Sequence, residues 1–224
     1  MESACRYERK FFLEGMEPAA ARAAILQHPA MFYEPYPPRW INNLYFDTPW
    51  MEHYQDNLSG SAERGKARVR WYHDLEGEVP HPVLEFKLKR GWVGWKESYP
   101  FPGFHFGPAL TAQYLADLIA GSSLPRPVIE RMSGYRVALV NRYHRSYFAS
   151  RDGSFRVTLD TDLTYYRSGR LSTSLLARTV DHGVLVVELK YDAEHETRAA
   201  RVASRMPFRL TRSSKYVRGV EFYL

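Results

Sequence analysis

Four stretches of the chain alternate apolar and charged residues with a period of two. Lys66, Arg68 and Arg70 alternate with Ala67, Val69 and Trp71, and Glu85, Lys87 and Lys89 with Leu84, Phe86 and Leu88. Arg156, Thr158 and Asp160 alternate with Phe155, Val157 and Leu159, and Glu188 and Lys190 with Leu185, Val187 and Leu189. A strand turns successive side chains to opposite sides, so each stretch predicts a strand with one face fit for a core and one fit for a polyanion. Taken singly, such a charged face would simply meet water. Taken together, the strands differ from an ordinary solvated face, which mixes small polar residues and both charge signs. Here cations recur at alternate positions, and a single glutamate stands two residues before a lysine in Glu85/Lys87 and Glu188/Lys190. If these faces converge inside a closed barrel, bound phosphates offset the repulsion and an isolated carboxylate becomes a metal ligand.

The rest of the pattern supplies the frame. Residues 6–13 read as a first strand with Arg6, Glu8 and Lys10 on one side. Residues 18–27 read as a short helix opened by Pro18 and stopped by Pro29. After a Pro-rich loop at 34–38, residues 40–47 resume strand character, and 59–65 read as a connection into the strand 66–72. Strands at 83–90 and 92–99 join at Gly91, and 107–120 reads as an amphipathic helix. Strands follow at 137–148, 155–164 and 184–191, the first two linked by the turn Arg151-Asp152-Gly153. Residues 193–206 read as a helix ended by Pro207, and the last segment carries Ser213, Ser214, Lys215 and Tyr216. No low-complexity linker divides the chain, so residues 1–224 are read as a single domain of two interlocked strand-rich halves.

Composition narrows the chemistry. A hydrophobic fraction of 45% supplies a sizeable core, and a net charge of +6 favours anionic partners. One cysteine, Cys5, cannot form an internal disulfide and suits a reducing compartment. Charges at Glu2, Arg6, Glu8, Arg9, Lys10 and Glu14 interrupt any apolar core of a signal peptide, and no apolar run is long enough to cross a bilayer. The expected location is cytoplasmic.

Several chemistries drop out. The chain has no Walker phosphate loop and no G-x-S-x-G elbow, and its eight histidines miss zinc-ligand spacings. His81, His105 and His182 read as loop residues. What remains is phosphate chemistry without a protein nucleophile: Lys and Arg grip phosphate oxygens, and Glu holds Mn²⁺ or Mg²⁺. A nucleic-acid module would need aromatics on the cationic face, whereas Trp71, Phe86 and Phe155 fall on the other. No nucleic-acid partner is expected.

An ordered series of short motifs resembles the VTC domain, the catalytic domain of the vacuolar transporter chaperone polyphosphate polymerase, within the triphosphate tunnel metalloenzyme (CYTH-like) superfamily. The series is Arg6-Tyr7-Glu8-Arg9-Lys10-Phe11, Asn43-Leu44-Tyr45-Phe46-Asp47-Thr48, Arg68-Val69-Arg70-Trp71-Tyr72, Glu85-Phe86-Lys87, Tyr143-His144-Arg145, Arg156-Val157-Thr158-Leu159-Asp160, Glu188-Leu189-Lys190 and Ser214-Lys215-Tyr216. The resemblance implies an α+β fold: an antiparallel β-barrel forming a tunnel, with flanking helices. It implies that Lys10, Arg68, Arg70, Lys87, Arg145, Arg156, Lys190 and Lys215 hold phosphates. Glu188 would hold the divalent metal with Glu8 and Glu85 assisting, and Glu188, Arg70 and Arg145 would serve catalysis. The implied partners are ATP or another triphosphate and inorganic polyphosphate, the terminal phosphoryl group of ATP passing to the growing chain. Coupling to a membrane would need a separate partner.

One departure bears on the activity. The superfamily's first strand reads E-x-E-x-K, and this chain has Arg6 in place of the first Glu while keeping Glu8 and Lys10. One carboxylate fewer and one cation more favours a long polyanion over a two-metal hydrolytic site. Hydrolysis of inorganic triphosphate or of a nucleoside triphosphate remains the alternative, and a non-catalytic binding module the third. Each residue also has a plainer reading: Glu8 as a salt partner of Lys10, Glu188 as a counter-ion of Lys190, Arg70 stacked on Trp92. Glu85, Lys66, Lys89 and Lys96 stand evenly between surface and site, and one register step separates Arg142 from Arg145.

Overall fold

The computed structural model describes residues 6–91, 93–168, 175–211 and 213–224. Cys5 and Trp92, which figured in the sequence reading, lie outside them. In chain order the elements are β1 (Arg6–Glu14), α1 (Pro18–Leu26), β2 (Arg39–Asp47), α2 (Glu52–Ser59), β3 (Glu63–Tyr72), β4 (Gly77–Val79), β5 (Val83–Arg90), β6 (Val93–Pro100) and β7 (Phe104–Phe106). Then follow α3 (Ala112–Ala120), α4 (Arg126–Ser133), β8 (Arg136–Ala149), β9 (Phe155–Ser168), β10 (Leu175–Val180), β11 (Val184–Asp192), a 3₁₀ turn (Ala193–His195), α5 (Glu196–Ser204) and α6 (Lys215–Glu221). The strand order is β1-β11-β9-β8-β2-β3-β5-β6, with β10 beside β9, and β4 and β7 form a separate small sheet. The expected antiparallel α+β architecture with flanking helices is observed.

The chain divides into two compact units, each discontinuous in sequence. Unit 1 comprises Met1–Trp40, Tyr143–Leu163 and Val180–Ser213; unit 2 comprises Ile41–Arg142, Thr164–Thr179 and Ser214–Leu224. Strands β2, β8 and β9, and β10 at its last residue, are each divided between the two units.

In unit 1, β11 pairs antiparallel with β1 on one side and β9 on the other. The apolar face of these strands (Phe11, Leu13, Val157, Leu159, Val187, Leu189) packs with Ala21 and Ile25 of α1 and Ala199, Val202 and Ala203 of α5 in one cluster. In unit 2, β2, β3, β5 and β6 form an antiparallel run. Its apolar face (Leu44, Val69, Leu84, Phe86) packs with Leu115 and Ile119 of α3 and Val128 and Met132 of α4. Each such buried Val, Leu or Phe contributes about 1.5–3 kcal/mol of transfer free energy, which fixes the register of every strand. Helices therefore cover one face of each sheet region, and the alternating charged face is the other.

Several elements depart from the sequence reading. The helix expected at 107–120 starts at Ala112, because Thr111 caps it, Oγ1 accepting from the Tyr114 amide at 3.1 Å. The helix expected from 193 begins at Glu196 after the 3₁₀ turn. His105, read as a loop residue, lies in β7 and faces Glu78 across the small sheet, Nδ1 to Oε1 2.8 Å. Helices α2, α4 and α6 and strands β4, β7 and β10 were not foreseen. They are short, and a periodic pattern of seven or eight residues barely exceeds one or two turns. Among the described residues, no helix is long and apolar enough to cross a membrane.

Candidate functional site

The charged face of unit 1 is a cross-strand checkerboard. Registers place Lys10 beside Glu188 and Glu188 beside Thr158 in one row, and Glu8 beside Lys190 and Lys190 beside Arg156 in the next. Directly opposed residues on an antiparallel pair share a face, so these side chains meet. Lys10 Nζ lies 2.9 Å from Glu8 Oε1 and 3.5 Å from Glu188 Oε1, and Lys190 Nζ lies 2.9 Å from Glu188 Oε2. Burial works against the Lys10 charge, but Glu188 and Glu8 outweigh it and raise its proton affinity well above the ordinary lysine value. Lys10 Nζ also donates to the Ser213 carbonyl at 3.4 Å.

Arg145 closes this cluster. Its Nε and Nη2 donate to Asp160 Oδ1 and Oδ2 at 2.5 and 2.6 Å, and Nη2 stands 3.6 Å from Glu188 Oε2. Burial opposes its charge, yet Asp160, Tyr143 and Glu188 raise its proton affinity further, so Arg145 is a fixed cation. The register question is settled here: Arg145 is buried in this cluster, whereas Arg142 belongs to unit 2 and donates Nη2 to the His73 carbonyl at 3.4 Å. Asp160 sat on the charged face in the sequence but was given no role. Its partner lies 15 residues upstream on another strand, which alternation within one strand does not disclose. Thr158 is likewise buried, and its Oγ1 has no hydrogen-bond partner among the described residues.

Unit 2 carries a second basic face. Glu85 is buried and receives three cations: Arg68 (Nε to Oε2 2.8 Å), Lys96 (Nζ to Oε1 2.9 Å) and Arg70 (Nη1 to Oε2 3.6 Å). Burial alone would raise the Glu85 pKa, but Arg68, Arg70 and Lys96 together hold it well below the usual carboxylate range. Arg70 Nε donates to Asn43 Oδ1 at 3.0 Å, Asn43 Nδ2 donates to Asn141 Oδ1 at 2.8 Å, and Arg68 Nη1 donates to Tyr45 OH at 3.3 Å. Both guanidinium groups are thus aimed by neutral partners on β2. One row further along, Lys66, Lys87 and Lys96 stand side by side across β3, β5 and β6. Such a row of cations concentrates positive potential on this face, to which a polyanion is attracted.

The remaining expected residues divide between the units. Arg156 is exposed on β9 beside Lys190 in unit 1, and Lys215 opens α6 in unit 2. That helix is held in place by the Ser214 Oγ cap on the Val217 amide (3.3 Å) and by the Tyr216 hydroxyl, which donates to Asp47 Oδ2. Burial and then Asp47 raise the Tyr216 pKa, so it remains a neutral donor.

A hard divalent cation such as Mg²⁺ or Mn²⁺ takes one or two carboxylates together with phosphate oxygens and water. Among the described residues no cluster of three or more His, Cys, Asp and Glu side chains forms. Glu8 and Glu188, both against the Lys10 ammonium, fit the two-carboxylate arrangement, and the unpartnered Thr158 hydroxyl adds a neutral oxygen in the row of Glu188. Glu85, expected to assist, lies in unit 2, where its oxygens face Arg68, Arg70 and Lys96 much as those of Glu188 face Lys10, Arg145 and Lys190.

The fold has solved counterparts. The chain is similar to a putative adenylate cyclase from Vibrio parahaemolyticus, with a TM-score of 0.52 and 15% identity over 95% of this chain and 96% of that one. It is also similar to a putative adenylyl cyclase from Hippeastrum described as having a dominant triphosphatase activity, with a TM-score of 0.54 and 16% identity over 97% of each chain. At these identities the likeness establishes a shared fold. No curated protein matches the chain. The VTC domain family matches residues 5–120 and 125–224, nearly the whole sequence and all the charged strands described above. This chain therefore belongs to the VTC domain family.

Proposed function

We propose that this VTC domain is a polyphosphate polymerase that passes the terminal phosphoryl group of ATP to a growing inorganic polyphosphate chain. The observation that carries the reading is the build of the two charged faces. Cations outnumber carboxylates on each, and the buried Glu85 and Asp160 are spent fixing the cations rather than facing solvent. Such faces bind a ligand with many evenly spaced negative charges.

In this reading Arg68, Arg70 and Lys87, together with the row through Lys66 and Lys96, hold phosphate oxygens in unit 2, and Lys215 adds a further contact there. Lys10, Arg145, Arg156 and Lys190 do so in unit 1. Glu188 and Glu8 are the groups that would hold Mn²⁺ or Mg²⁺, which when bound supplies positive charge to the phosphate oxygens. Arg145, oriented by Asp160, stabilises charge on the transferring group, and Arg70, oriented by Asn43, is the corresponding fixed cation of the unit 2 face. An oxygen of the terminal phosphate of the chain attacks the γ-phosphorus, the bond between that phosphorus and the bridging oxygen breaks, and ADP departs with that oxygen. No protein nucleophile takes part. The location that supplies ATP for this reaction is the cytoplasm.

Hydrolysis is the second reading, favoured by the described triphosphatase activity of the Hippeastrum protein. It differs only in placing water where the acceptor phosphate would sit. Incubating the purified protein with ATP and Mn²⁺ and resolving the products on a gel tests both. Polyphosphate chains are the expected product; free phosphate without chains rejects the polymerase and selects the hydrolase.

A further inference from the structure

Unit 1 has another basic concavity, built on its helix-covered side and not on the charged strand face. It is a cavity of about 530 Å³ between α5, the segment after α1 and the β8–β9 turn. Four arginines line it: Arg198, Arg201 and Arg205 from α5 and its end, and Arg151 from the turn. The spacing of the first three, three and then four residues, puts them on one helix face. One carboxylate, Asp152, stands among them.

That carboxylate is already committed. Asp152 accepts from Arg198 Nη2 at 2.5 Å, from Ser150 Oγ at 2.6 Å and from the Ser154 amide at 3.1 Å, which together hold its pKa well below the usual range. Arg198 also lies over the Phe155 ring, 5.3 Å from its centroid. This corner is a fixed wall. The side chains of Arg151, Arg201 and Arg205 make no hydrogen bond or ion pair to any described residue. Beneath them His28 is buried and bonded on both ring nitrogens, Nδ1 accepting from the Ala30 amide at 3.0 Å and Nε2 donating to the Val202 carbonyl at 3.1 Å. That pattern is satisfied by the neutral ring, so His28 adds no charge.

Three uncommitted guanidinium forks around a cavity of this size suit an anion with several phosphoryl groups. A single small anion would reach fewer of them, and a volume of some hundreds of Å³ is that of a small-molecule site. We propose that this arginine pocket binds an oligophosphate, presented as inorganic tripolyphosphate or as the triphosphate of a nucleotide, at a place separate from the charged strand faces.

The test uses the full chain with EDTA present, so that no divalent metal contributes. The His28 imidazole signal is followed by NMR during titration with tripolyphosphate, ATP and orthophosphate, in the wild type, in Arg201→Gln/Arg205→Gln and in Arg70→Ala. The expected result is a saturable shift of the His28 signal in the wild type and in Arg70→Ala, with at least tenfold weaker binding in the double variant. A response to tripolyphosphate identifies the phosphate chain as the recognised group, and a response to ATP alone identifies the nucleotide. Absence of any shift, an unaltered titration in the double variant, or orthophosphate binding as tightly as tripolyphosphate would overturn the proposal. Because Arg70→Ala impairs only the strand face, the outcome is independent of the polymerase reading.

Discussion

Arg145 grips Asp160 with both arms of its guanidinium fork, and the carboxylate is fully buried. Arg145 is thereby held in the one orientation that also brings Nη2 toward Glu188. Asp160→Ala leaves a buried guanidinium without its main partner and is expected to cost about 3–5 kcal/mol in urea unfolding. Arg145→Lys is expected to be no substitute, since a lysine cannot span both oxygens. A midpoint for Asp160→Ala close to wild type would show that the pair holds nothing in place.

Thr158 and Glu188 share a row, and they separate stability from function. Thr158→Val removes a buried hydroxyl with no partner, so the variant is expected to be more stable by about 1 kcal/mol. If that oxygen serves the metal, the same variant needs more Mn²⁺ to reach half its maximal rate. Glu188→Gln is expected to abolish metal-dependent turnover while phosphate binding, measured by calorimetry, persists; Arg70→Ala should weaken the binding itself. An unchanged rate in Glu188→Gln would remove Glu188 from the metal site.

Glu85 gives a pH signature. Its folded-state pKa lies below the ordinary value of 4.5, because the pull of Arg68, Arg70 and Lys96 exceeds the effect of burial. The ionised form therefore stabilises the fold above about pH 4.5, and that contribution is lost as pH falls toward the folded value. Unfolding midpoints taken from about pH 6 to about pH 3 should fall steeply for wild type. Glu85→Gln should start lower at neutral pH and show a flatter slope; parallel curves would refute the assignment.

Gly219 sets the position of α6. A Cβ added there would overlap Leu139 Cδ2 and Tyr165 Cδ1, so the helix lies closer to its neighbours than any side chain allows. Gly219→Ala is expected to cost about 1–3 kcal/mol through overpacking, read as a lower melting temperature. Because α6 carries Lys215 and Tyr216, the same change should weaken polyphosphate binding at temperatures where the protein stays folded. A thermally neutral variant would mean that α6 shifts freely.

The period of two in the charged strands was enough to separate the apolar face from the charged one and to put Lys10, Arg68, Arg70, Lys87 and Glu188 on the latter, whereas Arg145 was named only by the resemblance to the VTC domain, alternation leaving it one register step from Arg142. That inference is local: backbone geometry fixes which neighbours share a face whatever the rest of the chain does. The short elements were not legible. Helix α4 and helix α6 are eight and seven residues long, and their existence rests on what they pack against.

Partnership belongs to the tertiary structure. Nothing within β5 says that Glu85 must receive Arg68, Arg70 and Lys96, nor within β9 that Asp160 must hold Arg145 and leave the Thr158 hydroxyl without a partner. The same holds for the arginine pocket, whose arginines come from the β8–β9 turn and from α5 and its end. The sequence determined which residues carry charge and which face each strand gives to the core, because alternation is written along the chain. Which charge neutralises which, and which cations keep their capacity for a ligand, was decided only when register and helix packing brought distant side chains within a few ångströms.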